Sequence, residues 1–292
     1  MTKRLVFIHG RAQQDKDSIA LKAEWVQSFQ DGLGVAGLTI PISEADIKFP
    51  YYGDTLRDLV TGADKVADVI VRGTGATQAE QEFIRGVLDE VLKKTNITAE
   101  ELDAIVGAEV IQRGPLNWEW VQGILRAIDR HVPLGSGASI AIATYDVYQY
   151  LCNAVIANQI NDGVLKAMQP GVPTVVVSHS LGTVVAYNLL KNKGAALGWD
   201  VPLFVTLGSP LAVTKFKQMI TPIGHPACAK KWFNAMDERD VVALYPLSKK
   251  YFPVSPQIEN KTDVRNPTEN RHGISGYLGD PEVARRIHTA LA

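Results

Sequence analysis

The 292-residue sequence predicts an α/β fold, a mostly parallel sheet with helices on both faces. Two observations carry this prediction. Runs such as Leu5-Val6-Phe7-Ile8 and Val175-Val176-Val177 are apolar without alternation, as strands buried on both faces must be. Between such runs lie longer stretches whose apolar residues recur at helical spacing, so strands and helices alternate along the chain.

The first strand covers Arg4 to Ile8. Leu21, Trp25, Phe29 and Leu33 then recur every four residues and give a helix one apolar stripe, with Asp17-Ser18 as its N-cap. Ile47-Lys48-Phe49, followed by Pro50 and Tyr51-Tyr52, reads as a short second strand. From Gly53 to about Pro170 strand signals are weak and helical spacing dominates. Phe83-Ile84, Val87-Leu88 and Val91-Leu92 form one helix, and Thr98 with Glu101 has capping-box spacing before another. Trp120-Val121, Ile124-Leu125 and Ile128 mark a third, while Val147, Leu151 and Val155 mark a longer one. Strands return at Pro173 to Val177, Val201 to Leu207, Lys231 to Met236 and Gln257 to Val264. Asp280-Pro281 opens a C-terminal helix with Val283, Ile287 and Leu291 on one face.

Composition narrows the function classes. Apolar residues make up 46%, so the chain is not disordered. With 30 basic and 31 acidic residues the net charge is −1, and no sequence-wide attraction draws the chain to nucleic acid or anionic lipid. Cys152 and Cys228 are too few for a disulfide framework or a four-cysteine zinc site. They read as buried thiols in a reducing compartment, so a cytoplasmic protein is expected. The run Leu5–Ile8 ends at His9-Gly10, short of the roughly 7–15 apolar residues of a secretory signal. The most apolar long stretch, Ala138 to Ala157, is broken by Tyr145-Asp146 and Tyr148-Gln149-Tyr150, so no membrane insertion is expected.

The most informative segment is Val175-Val176-Val177-Ser178-His179-Ser180-Leu181-Gly182-Thr183. A buried strand runs straight into the apolar helix beginning near Leu181, with a serine at the turn. Small residues two before and two after Ser180 let the helix pack close to the strand and leave the hydroxyl exposed. A nucleophilic serine needs a base, and the base needs an orienting carboxylate. His272 lies in a loop between the last expected strand and the final helix, where such a base belongs. His225 precedes a strand and His288 sits within the last helix, so neither is favoured. Asp237 and Asp240 both fall on the turn after the Lys231-to-Met236 strand. Asp240, which precedes Val241-Val242, is preferred as the acid, and Asp237 stays as its alternative. The backbone N–H of Leu181 is one expected oxyanion donor. The other comes from the loop His9-Gly10-Arg11, with Gly10 permitting close approach and Arg11 donating. His9 reads as a structural neighbour.

These residues resemble those of the α/β-hydrolases. The resemblance rests on Phe7-Ile8-His9-Gly10, the Ser180 turn, Leu207-Gly208-Ser209-Pro210, Asp240-Val241-Val242 and His272-Gly273. Ser178 departs from it, since the family usually carries glycine there. The resemblance implies an esterase- or lipase-like serine hydrolase with a Ser180–His272–Asp240 triad, no cofactor and no metal. Its substrate would be a small acyl ester or a lipid. Alternatives are thioester or amide cleavage, acyl transfer, and a catalytically silent fold used for binding. The resemblance also implies about six strands, in the spatial order second, first, third, fourth, fifth, sixth. Residues 1–292 would form a single domain, with a helical cap inserted at about 54–170. Tyr51, Tyr52, Trp118 and Trp120 are candidates to line an acyl pocket, or else to pack between helices.

Overall fold

The computed structural model describes residues 2–10, 17–52, 77–106, 118–131 and 137–292. Six strands form one all-parallel sheet: β1 (Arg4–Ile8), β2 (Ile47–Lys48), β3 (Thr174–His179), β4 (Phe204–Leu207), β5 (Trp232–Ala235) and β6 (Glu259–Lys261). Their order is β2-β1-β3-β4-β5-β6, the one expected. The described helices are α1 (Ser18–Val35), α2 (Gln78–Thr95), α3 (Ala99–Val106), α4 (Trp118–His131), α5 (Gly137–Cys152), α6 (Ala154–Ala167), α7 (Leu181–Leu189), α8 (Thr214–Met219), α9 (Ile274–Leu278) and α10 (Pro281–Leu291).

Successive strand side chains point to opposite faces, so the apolar runs supply two cores at once. Leu5, Phe7, Val175, Val177, Val205, Leu207 and Phe233 face α1, α9 and α10. Trp25 of α1 meets Phe7 edge-on, with ring centroids 5.3 Å apart. Val6, Ile8, Val176, Phe204 and Trp232 face the other way, into a cluster shared with α2 through α8. The helices α2–α6, which fall in the expected insertion, thus join α7 and the sheet in one continuous apolar cluster.

Local signals set most boundaries. The Asp17 side chain accepts from Ile19 N at 3.2 Å and caps α1. Thr77 and Glu80 form a reciprocal capping box at α2, and Thr98 and Glu101 exchange the same bonds before α3. Asp280 caps α10, which has Pro281 at its first position.

Four expectations need correction. Val147, Leu151 and Val155 do not share one helix. The Asn153 side chain accepts from Val155 N and Ile156 N, ends α5 and starts α6, leaving Val155 59% exposed. The fourth strand begins at Phe204 rather than Val201, because Pro202 has no N–H for the ladder; Val201 makes an isolated bridge to Ala229. The last strand is only Glu259–Lys261. Cys152 is exposed at the end of α5, and only Cys228 is buried.

Two glycines of α1 separate close packing from helix propensity. A Cβ at Gly32 would lie 2.3 Å from Leu278 O and 2.9 Å from Ala284 Cβ, whereas one at Gly34 would meet nothing within 4 Å. Gly32→Ala will therefore destabilise the fold, since overpacking costs about 1–3 kcal/mol against a propensity gain of at most about 1 kcal/mol. Gly34→Ala will stabilise it by up to about 1 kcal/mol. Urea unfolding midpoints that do not move in opposite directions refute this account.

Candidate active site

Ser180 is the single residue between β3 and α7, and it alone reverses the chain. It adopts φ 55°, ψ −129°, a region that costs a non-glycine residue roughly 1–3 kcal/mol. Several bonds hold it there. Ser180 N donates to Leu207 O at 3.1 Å, tying the turn to β4. Thr183 donates to Ser180 O from both its N (2.9 Å) and its Oγ1 (2.7 Å). Thr183 Oγ1 also lies 2.9 Å from Ser209 Oγ, so Ser209 supports the turn from below.

The small residues are required by close approach. A Cβ at Gly182 would fall 2.2 Å from Ile8 O and 2.6 Å from His9 O. At Gly10 it would fall 2.7 Å from Ser180 Cβ and 3.2 Å from its Oγ, so Gly10 stands directly against the serine side chain. Ser178 is accommodated in the glycine-like position because its buried hydroxyl donates to Val205 O at 2.9 Å.

His272 Nδ1 donates to Asp240 Oδ2 at 2.7 Å, and the Asp240 side chain is fully buried. Asp240 accepts three further bonds: Oδ1 from Val242 N (2.9 Å) and Ala243 N (3.3 Å), and Oδ2 from Tyr277 Oη (2.6 Å). These donors stabilise a carboxylate that has lost its water. Burial, and then the Asp240 charge, push the Tyr277 phenol well above its ordinary value, so it remains a donor. With its proton on Nδ1, His272 carries a lone pair on Nε2. Among the described residues that atom is buried without a hydrogen-bond partner. Gly208, at φ 54°, admits the ring: a Cβ there would lie 3.1 Å from His272 Nδ1 and Cε1. Because Ser180 bonds to Leu207 and His272 packs on Gly208, both flank the same end of β4.

The other histidines serve the scaffold. His179 Nε2 donates to His272 O at 2.7 Å, with the rings 4.6 Å apart. Burial, and then His272, push His179 well below the ordinary imidazole value, so it is neutral. His9 donates from Nδ1 to Gly10 O at 2.6 Å, and its Nε2 accepts from Tyr52 N at 3.2 Å. The Tyr52 hydroxyl bonds to His9 O. Burial lowers His9 to about 4, although its bond to Gly10 acts in the opposite direction.

The candidate residues divide clearly. The structure sets Gly10 against Ser180 and pairs His272 with Asp240, with Ser180 and His272 at the same end of β4, while Arg11 lies outside the described residues. Asp237 does not reach His272. Its carboxylate is taken by Arg239 N, Nε and Nη2 and by Asn266 N, all within 2.9 Å. The described aromatic candidates pack in different places. Tyr52 is buried against His9, and Tyr51 packs with the cluster on the opposite face of the sheet. Trp120 packs under the Arg85 guanidinium, and the Trp118 side chain lies outside the described residues. Sequence reasoning missed the roles of His179 and Tyr277. His179 stood inside the serine motif, but Tyr277 carries no motif signal.

Among known proteins, no family model, no curated sequence and no solved structure matches this chain.

The bonds to Asp237 set a pH dependence. Burial alone would raise its pKa, but hydrogen bonds from Arg239 and Asn266 outweigh this and leave it below the ordinary carboxylate value. A depressed folded pKa adds stability that is present above the unfolded value near 3.9 and is lost as pH falls through the folded value. Asp237→Asn should therefore be most destabilising at neutral pH, with the gap to wild type closing below about pH 4. Denaturation curves showing the same gap at pH 7 and in acid would contradict this.

Proposed function

We propose that the chain is a serine hydrolase of the α/β-hydrolase type that cleaves a carboxylic ester. The carrying observation is the 2.7 Å bond from His272 Nδ1 to buried Asp240, which leaves Nε2 unpartnered beside the Ser180 turn. Ser180 Oγ attacks the acyl carbon and its proton passes to His272 Nε2. Asp240 holds the tautomer and stabilises the imidazolium as it forms. The carbonyl oxygen takes up the negative charge near the N-terminus of α7, where the Leu181 N–H precedes the first intrahelical bond. The Arg11 N–H is the expected second donor.

Collapse of the tetrahedral adduct expels the alkoxide, which takes the proton from His272 and leaves an acyl-Ser180. Water then attacks the acyl carbon, giving a proton to His272. Breakdown returns that proton to Ser180 Oγ and releases the acid. The serine and histidine are not hydrogen-bonded to each other, and such bonds commonly tighten only with substrate bound. The substrate is a small acyl ester or a lipid, and helices α2–α6 act as the cap. The same acyl-enzyme would serve thioester or amide cleavage and acyl transfer. Among the described residues no helix is long and apolar enough to cross a membrane.

A fluorophosphonate probe should label Ser180 covalently and leave Ser180→Ala unlabelled. Asp240→Asn should lower kcat on a p-nitrophenyl ester by a factor on the order of 10⁴. Asp237→Asn should act through stability instead, leaving kcat of the folded enzyme within a few-fold. Labelling that survives Ser180→Ala, or an Asp237→Asn enzyme as inactive as Asp240→Asn, overturns the assignment.

A further inference from the structure

We infer that the enzyme prefers esters bearing a second, anionic group, and that a cavity against the Asp240 loop binds this group. The inference rests on the proposed hydrolase reading. A cavity of about 420 Å³ opens against the loop that carries Asp240, within the size range of small-ligand sites. Its walls come from four parts of the fold. Lys94 and Thr95 end α2, His131 ends α4, and Glu238, Arg239, Val241 and Leu244 belong to the loop after β5. Arg271 completes it, and the next residue is His272.

Arg271 is the most informative of these. It has φ 58°, a left-handed backbone that favours glycine or asparagine over arginine. The surrounding loop fixes it: Arg271 N donates to Thr268 O, and its Nη1 donates to Asn266 O at 3.1 Å. Asn266 in turn bonds to Thr268, to Gly273 O and to Asp237. The guanidinium is thus held at the cavity, yet among the described residues its Nε is buried with no hydrogen-bond partner. A buried donor on a permanent cation without an acceptor is costly unless a ligand supplies one.

The charges around the cavity favour an anion. Lys94 Nζ lies 5.8 Å from the centre of the Tyr245 ring, and neither it nor Arg271 has a carboxylate partner among the described residues. Arg239 turns Nε and Nη2 to Asp237. His131 faces Glu101 at 3.4 Å. Two acids also reach the wall: Asp240, whose oxygens are turned to four donors of its own loop, His272 and Tyr277, and Glu238, which is exposed and screened by solvent. Val241 and Leu244 are buried and apolar, which strengthens the pull of Lys94 and Arg271 on a carboxylate or phosphate.

Two measurements test this. Thermal unfolding with added adipate or inorganic phosphate reads anion binding without turnover. Tm should rise in wild type, stay flat in Lys94→Gln/Arg271→Gln, and rise again in Lys94→Arg/Arg271→Lys. Whichever anion acts identifies the group as carboxylate or phosphate. Hydrolysis is then compared on p-nitrophenyl hexanoate, the p-nitrophenyl monoester of adipic acid, and p-nitrophenyl ω-phosphonohexanoate. Wild type should favour one acidic ester over the hexanoate in kcat/KM by about tenfold, and the glutamine variant should lose that preference. No anion-dependent rise in Tm, or no preference that depends on Lys94 and Arg271, overturns the inference while leaving the hydrolase reading intact. If Ser180 also fails to label with fluorophosphonate, the hydrolase reading fails, and this inference fails with it.

Discussion

A single residue, Ser180, must convert a fully buried strand into a fully buried helix, and the centre of the molecule is arranged around that turn. With no loop to absorb the reversal, α7 lies so close to β1 that Gly182 touches the carbonyls of Ile8 and His9. The same closeness puts Gly10 against the serine side chain. The unfavourable Ser180 backbone is held from two sides, by Leu207 on the neighbouring strand and by Thr183 with Ser209 beneath. Strain of this kind persists only where the surroundings over-determine it. Here those surroundings are β1, β3, β4 and the first turn of α7.

Around this turn the protein makes the neighbours of Asp240 neutral. His9 and His179 are uncharged because burial removes the water that would solvate an imidazolium. Tyr277 holds its proton for the complementary reason. Asp240 has four donors in place of its solvent. Asp237, three residues earlier, is spent on Arg239 and the 266–273 loop. The two aspartates divide the work: one faces the histidine, and the other fastens the loop that carries it.

Much of this was legible in the sequence where one residue type admits one explanation. The unbroken apolar runs at Leu5–Ile8 and Val175–Val177 read as buried strands, and alternation of elements gave a parallel sheet, whereas the strand order came from the resemblance alone. Small residues flanking Ser180 have a steric cause that acts locally, so the motif was readable. Asn153 was not readable, because asparagine is tolerated inside a helix as well as at a cap, and only its bonds to Val155 and Ile156 reveal the break. Nor was Tyr277, whose role depends on a contact across 37 residues of sequence. Tyr51 and Tyr52 are adjacent yet belong to opposite cores, and this follows from the path of the chain past His9 rather than from their side chains.

The position of β1 in the sheet has a consequence for how the chain is made. Leu5 pairs with Val175 and Ile8 with Ser178, so β1 is translated about 170 residues before its central partner. At ribosomal speeds of about 5–20 residues per second, that interval lasts roughly ten to thirty seconds. Throughout it, among the described residues, the apolar run Leu5–Ile8 has the two-residue β2 alone as a strand neighbour from the chain already synthesised. Helices α2–α6 are complete before β3 emerges, so their apolar faces meet one another before the sheet exists to receive them. The closure that places Gly10 against Ser180 is therefore among the late events of biogenesis, and an emerging chain carries the glycine loop long before it has the serine turn.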